Sequence, residues 1–313
     1  MPTIAVVIIG RDAAGLLQNV QQRNLAVFSQ AQRVVYVDSN SSDQSCRLAK
    51  ANGWTVVKLD PGGVLSAAAG RHAGALHCQE DYILFLDADM ELQIPSFEFL
   101  NQLDRLRAEG IAGASGSIVD IFPTGNRHTR HSPEPPMGDL LHFGGMLLID
   151  RKALLSAGNW NPDVIAHEED ELYSRLRKSG RRLVRLPEMV CLHYTDQTSL
   201  VRSLIMNYIP LTAKERRVFP GIGMAFRSAW QAGSTIDLLK ITPEPAITAL
   251  AFAFILCLGC WNGWLSVIPL VPWMGFVMTR RSLPYLAVCP AKTLQMMVGL
   301  FCYRRKPLLY NEM

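Results

Sequence analysis

Asp87-Ala88-Asp89 closes the apolar run Tyr82-Ile83-Leu84-Phe85-Leu86. A short apolar run that stops abruptly at two carboxylates reads as a buried strand carrying charge to its C-terminal end. In an open α/β sheet, ligands bind at that end. Carboxylates this close repel unless a cation lies between them, and hard oxygen ligands suit Mg2+ or Mn2+. A divalent ion there could hold a diphosphate. Taken alone, Asp-x-Asp is as readily a solvated turn at a strand end. Three further positions change the balance. Asp38 ends the run Arg33–Val37, Glu168-Glu169-Asp170-Glu171 opens a helical pattern, and His193 follows Met189-Val190-Cys191-Leu192. In a doubly wound sheet these ends converge on one cleft.

The elements that must position them alternate strand and helix. Ile4–Ile9, Arg33–Val37, Trp54–Leu59 and Tyr82–Leu86 read as strands. Helical patterns run over 14–30, from the polar turn 39–43 to Asn52, and over 66–77. Such alternation predicts a parallel sheet with helices on both faces. A helix is expected over 96–109, and strands over 112–122 and 144–149. The Pro-rich stretch 123–138 is expected to be a mobile loop beside the site, with His128 and His131 facing solvent. Glu168–Ser179 has acidic residues in its first turn, basic residues in its last and Gly180 after it, which are helix boundary signals.

The chain has 313 residues and a net charge of +4. No Lys/Arg block is long enough for a nucleic-acid partner, and the aromatic residues are not interleaved with basic ones. The seven cysteines are odd in number and scattered, which points to a reduced cytosolic setting. Cys257 and Cys260 have CxxC spacing within an apolar stretch, where helix packing is the expected reading. Ile4–Ile9 is too short for the core of a secretory signal.

The final third differs. Residues 199–243 read as amphipathic and basic, as a helix lying on an anionic membrane face would be. Residues 246–279 carry no charge. That run exceeds the roughly 20 residues of one span, and Asn262-Gly263 could turn it into a hairpin. Trp261, Trp264 and Trp273 fit interfacial belts, and the flanking Arg280-Arg281 and Arg304-Arg305-Lys306 favour cytoplasmic flanks. Four segments are expected: 1–198, 199–243, 244–281 as a transmembrane or re-entrant hairpin, and 282–313 as an amphipathic tail.

From Ile4 to Thr198 the chain resembles the family-2 glycosyltransferases, which have the GT-A fold. Val6-Val7-Ile8-Ile9-Gly10-Arg11 resembles the opening strand, and Val37-Asp38-Ser39-Asn40-Ser41-Ser42-Asp43 the acidic turn. Ala69-Gly70-Arg71-His72-Ala73-Gly74 is similar to the Arg-Asn-x-Gly segment, and Phe85-Leu86-Asp87-Ala88-Asp89 to the metal motif. Gly144-Gly145 and Gly158-Asn159-Trp160-Asn161-Pro162 resemble acceptor-side segments. Glu168–Leu176 resembles the helix that carries the base. The resemblance implies a mixed doubly wound sheet and an inverting, metal-dependent transfer. The donor would be a nucleotide-diphosphate sugar; the apolar hairpin and basic amphipathic segment favour a lipid-linked or cell-envelope glycan acceptor met at the cytoplasmic face of a membrane.

The resemblance also implies roles. Asp38 would contact base or ribose, and Asp87 the ribose and metal water. Asp89 and His193 would ligate Mg2+ or Mn2+. Gly10, Arg11 and Ala88 would line the nucleotide site, and Gly144, Gly145 and Trp160 the acceptor side. Arg71 pairs with phosphate or lies on the surface. Aligning Leu172 with Arg175-Leu176 puts Glu169 at the base, where Asp is usual, and Asp170 is the rival one residue on. Asp12 and His72 also depart from the usual residues. A nucleotidyltransferase on a similar core, or an inactive carbohydrate-binding scaffold, is the alternative.

Overall fold

The computed structural model describes residues 2–93, 107–130, 138–140, 142–195, 219–261, 269–270, 272–275, 285–302 and 307–313. Among the described residues ten strands form one mixed sheet in the order β10-β3-β2-β1-β4-β8-β6-β9-β5, with β7 paired to β6. β1 (Ile4–Gly10), β2 (Arg33–Asp38), β3 (Thr55–Leu59) and β4 (Tyr82–Asp87) run parallel. β8 (Leu147–Asp150) joins β4 antiparallel, and β6 (Ile111–Ile121) joins β8 antiparallel. β9 (Arg182–Tyr194) lies parallel to β6.

Alternation along β1 shows why these runs are continuously apolar. Ile4, Val6 and Ile8 enter one core with Leu17 and Ala49. Ala5, Val7 and Ile9 enter another with Ala69, Ala73, Leu172 and Leu176. A strand covered on both faces has no solvent side on which to place polar residues. The helices behind these contacts are Ala14–Arg23, Ser45–Ala51, Ala67–Leu76 and Glu168–Lys178. Ser66 caps the third, its hydroxyl accepting from the Ala69 amide.

Three strands were not expected. β5 (Met90–Gln93) pairs antiparallel with β9 directly after the Asp-x-Asp turn. β7 (Arg127–Arg130) makes a hairpin with β6, so the stretch expected to be a loop is partly sheet; His131 lies outside the described residues. β10 (Tyr310–Glu312) pairs with β3, returning the expected amphipathic tail to the sheet edge. The expected helix over 96–109 lies largely outside the described residues, and Arg107–Glu109 forms a 3-10 turn.

The helix expected over 14–30 breaks at Asn24, which is fully buried. Its side-chain amide donates to the Met90 carbonyl (3.2 Å) and its carbonyl accepts from the Leu92 amide (2.8 Å), so it holds β5 in place. Replacing Asn24 with Ala strands two buried backbone groups. We expect a loss of about 2 kcal/mol in unfolding free energy, measured by denaturant titration; unfolding like that of the wild type would contradict this role for Asn24.

The boundary expected at residue 198 does not separate packing units. Helix Gly221–Ala232 is largely buried, and Ser228 donates to Glu171 on the Glu168–Lys178 helix (2.6 Å). Helix Glu244–Trp261 begins buried at Glu244 and Thr248 and then exposes Leu250, Phe254 and Leu256. Among the described residues no single helix is long and apolar enough to cross a membrane. The pair Thr235–Ile241 and Glu244–Leu258, bent by 95°, meets the length and composition of a span only together. The expected turn at Asn262-Gly263 and the basic flanks Arg280-Arg281 and Arg304-Arg305-Lys306 lie outside the described residues, as does the basic part of 199–218.

Candidate active site

β4 delivers Asp87 and Asp89 to the sheet edge through a tight turn. The Ala88 amide donates to Ile9 (2.9 Å), and the Tyr194 amide donates to the Asp89 carbonyl (2.9 Å). A Cβ on Gly10 would come within 2.8 Å of Ala88 Cβ, so Gly10 is required for the turn to dock on β1. Ala88 is thereby buried and forms the floor of the site. Its expected nucleotide contact is not available to its side chain.

β9 brings His193 to the same edge. In register His193 faces Met90 on β5 and Asp120 on β6. Its Nε2 lies 3.4 Å from Asp89 Oδ2, and its Nδ1 lies 2.7 Å from Asp120 Oδ1. Burial opposes a charged imidazole here, but the hydrogen bonds to Asp120 and Asp89 outweigh it and push the pKa up to about 9. Asp89 Oδ1 is buried with no hydrogen-bond partner. An orphaned carboxylate oxygen beside a ring nitrogen suits a divalent cation. Among the described residues no three His, Cys, Asp or Glu side chains form a closed metal cage. A cation here would have one or two protein ligands and would be completed by phosphate oxygens and water.

The second half of the site is built around Arg71. It is buried, which removes the surface alternative, and its guanidinium is engaged by carboxylates. Its Nη2 donates to Asp87 Oδ1 (2.9 Å) and its Nη1 to Glu168 Oε1 (2.8 Å), with Glu169 Oε1 3.6 Å away. The guanidinium stacks 4.9 Å above the Trp160 ring. Trp160 itself is buried, wedged edge-on against Phe85 and Phe143. It is the platform under Arg71 and offers no face to an acceptor. His72 holds the Trp160 carbonyl (2.6 Å) and so serves the same platform. Through Arg71 the strand-end carboxylate Asp87 and the helix-start carboxylate Glu169 share one cation.

The helix Glu168–Lys178 separates the two candidates for the base. Its N-cap, His167, sits in the left-handed region at φ 62°. Asp170 turns away from Arg71 to His167 (3.0 Å), His142 (3.3 Å) and Thr242 (3.1 Å). Burial opposes its charge, yet the two histidines hold it far below the ordinary carboxylate range. Such a carboxylate is a weak base. Glu169 is the reverse: burial, then the neighbouring Glu168, raise its pKa well above that range against the pull of Arg71. Glu171 is sealed in a bidentate pair with Arg175 (2.8 and 2.7 Å). Asp170 is thus engaged by two histidines and a threonine, while Glu169 faces Arg71 at 3.6 Å.

Other expected residues fall differently. Asp38 is fully buried, and its carboxylate accepts from the Ser41 amide (2.8 Å) and the Ser41 hydroxyl. It shapes the turn and exposes no oxygen to a base or ribose. Asp12, at φ 49°, accepts from Ser42 (2.8 Å) and shapes the same turn. Arg11 is half exposed at the rim. Gly145 lies against Asp87 and Met90, where any Cβ would overlap the carboxylate; Gly144, at φ +61°, abuts Ile118 on β6. Both line the strand-end floor beside Asp87. Sequence reasoning missed Asp120, Arg130, His142 and His167; Asp120 meets His193 73 positions away and His142 meets Asp170 28 positions away, whereas His167 meets Asp170 only three residues on.

The parallel strands of this mixed sheet thus end at paired acidic residues, with a carboxylate-led helix beside them. Residues 6–160 match the model for glycosyl transferase family 2. The chain carries a family-2 glycosyltransferase domain. Comparison with curated proteins finds no match. Among solved structures, the mannosyltransferase PcManGT from Pyrobaculum calidifontis, in complex with GDP-Man and Mn2+, is 16% identical with a TM-score of 0.56; the match covers 97% of this chain and 88% of that one. TarS 1-349 from S. aureus, in complex with UDP-GlcNAc, is 10% identical with a TM-score of 0.53, covering 98% and 99%. GalNAc-T7, with UDP, GalNAc and Mn2+, is 13% identical with a TM-score of 0.53, covering 79% of this chain and 58% of that one. At these identities the likenesses show the fold, which is GT-A.

Proposed function

We propose that the protein is a metal-dependent, inverting glycosyltransferase. It takes a sugar from a nucleotide-diphosphate donor and places it on a lipid-linked or cell-envelope glycan at the cytoplasmic face of the inner membrane. The observation that carries the reading is the Asp89–His193 pair, set beside an Asp87 carboxylate that shares Arg71 with Glu169. Asp89 and His193 would hold Mn2+ or Mg2+: the carboxylate and phosphate oxygens suit either ion and the imidazole favours Mn2+; the Mn2+ bound in two structural neighbours supports the choice. Bound there, the ion supplies charge neutralisation for a leaving diphosphate. Arg71 keeps Asp87 and Glu169 at fixed separation. Glu169 takes the proton from the attacking acceptor hydroxyl, and the hydroxyl oxygen attacks the anomeric carbon opposite the departing diphosphate.

The test is detergent-purified protein with a panel of nucleotide sugars and Mn2+ or Mg2+. Metal-dependent release of a nucleoside diphosphate from one donor, stimulated by acceptor, is expected. Release of pyrophosphate, or no release from any donor, would overturn the reading.

The membrane part rests on the final third. Helices Glu244–Trp261 and Tyr285–Cys302 present Phe254, Leu256, Leu294, Met297 and Phe301 to the exterior, and Trp230 and Ile236 are also exposed. An apolar surface of this kind marks an interaction site. Wild-type protein should sediment with vesicles containing phosphatidylglycerol, and the double variant Phe254→Asp/Phe301→Asp should stay largely in the supernatant. Equal sedimentation of both would remove the membrane from the account.

A further inference from the structure

Asp120 sits at 7% exposure near the end of β6, beside His193 in the β6–β9 ladder and beside His128 in the β6–β7 ladder. The placement is not a default of strand pairing. Between the pairs Ser115↔Arg185 and Ser117↔Val190 the register shifts, with extra residues of β9 looped out around Leu186–Met189. A slip of one residue would put Val119 or Ile121 beside His193 and turn the side-chain faces over. The irregularity is thus what brings a carboxylate to the ring.

Asp120 touches Nδ1, while Asp89 faces Nε2 on the other side of the ring. It therefore cannot share a cation with Asp89 and His193. Two groups approach Nδ1. Asp120 Oδ1 lies at 2.7 Å and Arg130 Nη2 at 3.2 Å. Arg130 is a donor only, and it is already directed at the carboxylate: its Nη2 donates to Asp120 Oδ1 (2.7 Å) and its Nε to Oδ2 (3.0 Å). This bidentate grip fixes the plane of the carboxylate. Asp120 then accepts the Nδ1 proton, which leaves the Nε2 lone pair directed at the Asp89 side.

We propose that Asp120 is a positioning residue for His193, selecting Nε2 as the nitrogen that meets a divalent cation, and that Arg130 holds Asp120 in the orientation this needs. The proposal rests on the metal reading given above. A carboxylate on the far nitrogen of a metal-bound histidine orients the ring and raises its basicity, and losing such a partner typically costs about 10- to 100-fold in metal affinity.

The test is Mn2+ titration followed by the electron paramagnetic resonance signal of the free ion, with saturating UDP or GDP present. Asp120→Asn should raise the Mn2+ dissociation constant by about 10- to 100-fold, and Arg130→Gln should raise it by less. Nucleotide affinity in EDTA should stay at the wild-type value, which a general structural lesion would not allow. Arg130 is half exposed, so its variant serves if Asp120→Asn folds poorly. Mn2+ binding within twofold of wild type in the folded variants would overturn the proposal and leave the metal reading standing. A wild-type protein that takes up no Mn2+ would overturn both.

Discussion

Glu169→Gln is expected to lower turnover by about a thousandfold, in the middle of the range for a lost general base, while donor binding stays at the wild-type level. The amide keeps the shape of the side chain but cannot accept a proton. Arg71 retains Asp87 and Glu168, so the cluster that carries donor-side geometry survives. The pH dependence follows from the same surroundings. Burial and Glu168 raise the Glu169 pKa, so the ionised base fills only above the usual carboxylate range. Turnover should rise through that limb as pH increases. The stability sign is opposite. A carboxyl group whose folded pKa is raised stabilises the fold below its unfolded value of about 4.3, and that contribution is lost as pH rises through the folded value. Above it, Glu169→Gln should melt no lower than wild type, because it removes a partly buried charge crowded by Glu168. Nucleoside diphosphate release across pH, paired with melting curves, measures both. Turnover of Glu169→Gln within tenfold of wild type would exclude Glu169 as the base, and Asp170→Asn would become the next variant.

Asp89→Ala is expected to lower turnover by about a thousandfold as well, through several kcal/mol of lost charge stabilisation, but with a different signature. Donor binding should lose its dependence on metal. His193 adds a pH component. In the metal-free protein its pKa is raised to about 9, and a ligand must be deprotonated to bind metal. Mn2+ affinity should therefore climb by about tenfold per pH unit between pH 6.5 and 8. Over the same interval the metal-free protein should begin to lose stability, since a histidine whose pKa is raised in the fold stabilises it fully below about 6.5 and loses that contribution as pH rises through 9. In Asp89→Ala the pH dependence of Mn2+ uptake should disappear with the binding itself. Metal-dependent donor binding that survives the substitution would place the cation elsewhere.

These variants can be chosen because the acidic positions were legible in the chain. β1, β2 and β4 announce themselves as unbroken apolar runs since helices cover both faces, and a carboxylate ending such a run marks the ligand edge. The Glu168–Lys178 helix is legible from its own end signals. β5 is not, because four residues in the pattern Met-Glu-Leu-Gln form a strand only through β9, about a hundred residues away. β7, Arg-His-Thr-Arg, has no apolar alternation and reads as loop.

Burial of polar and aromatic groups was the other blind spot. Arg71, Trp160 and Asp38 have the residue types of ligand contacts, and their concealment is a tertiary fact. The choice between Glu169 and Asp170 was open for the same reason. It turns on the local His167 together with His142, 28 positions away, and Thr242, 72 positions away. No local pattern could encode the two distant partners.

The most direct measurement is anomalous scattering from a crystal soaked with Mn2+ and a nucleoside diphosphate. One peak should stand between the Asp89 carboxylate and Nε2 of His193, with diphosphate oxygens on its open side and Glu169 across the cleft from them. A nucleotide bound with its manganese at any other pair of side chains would contradict the account.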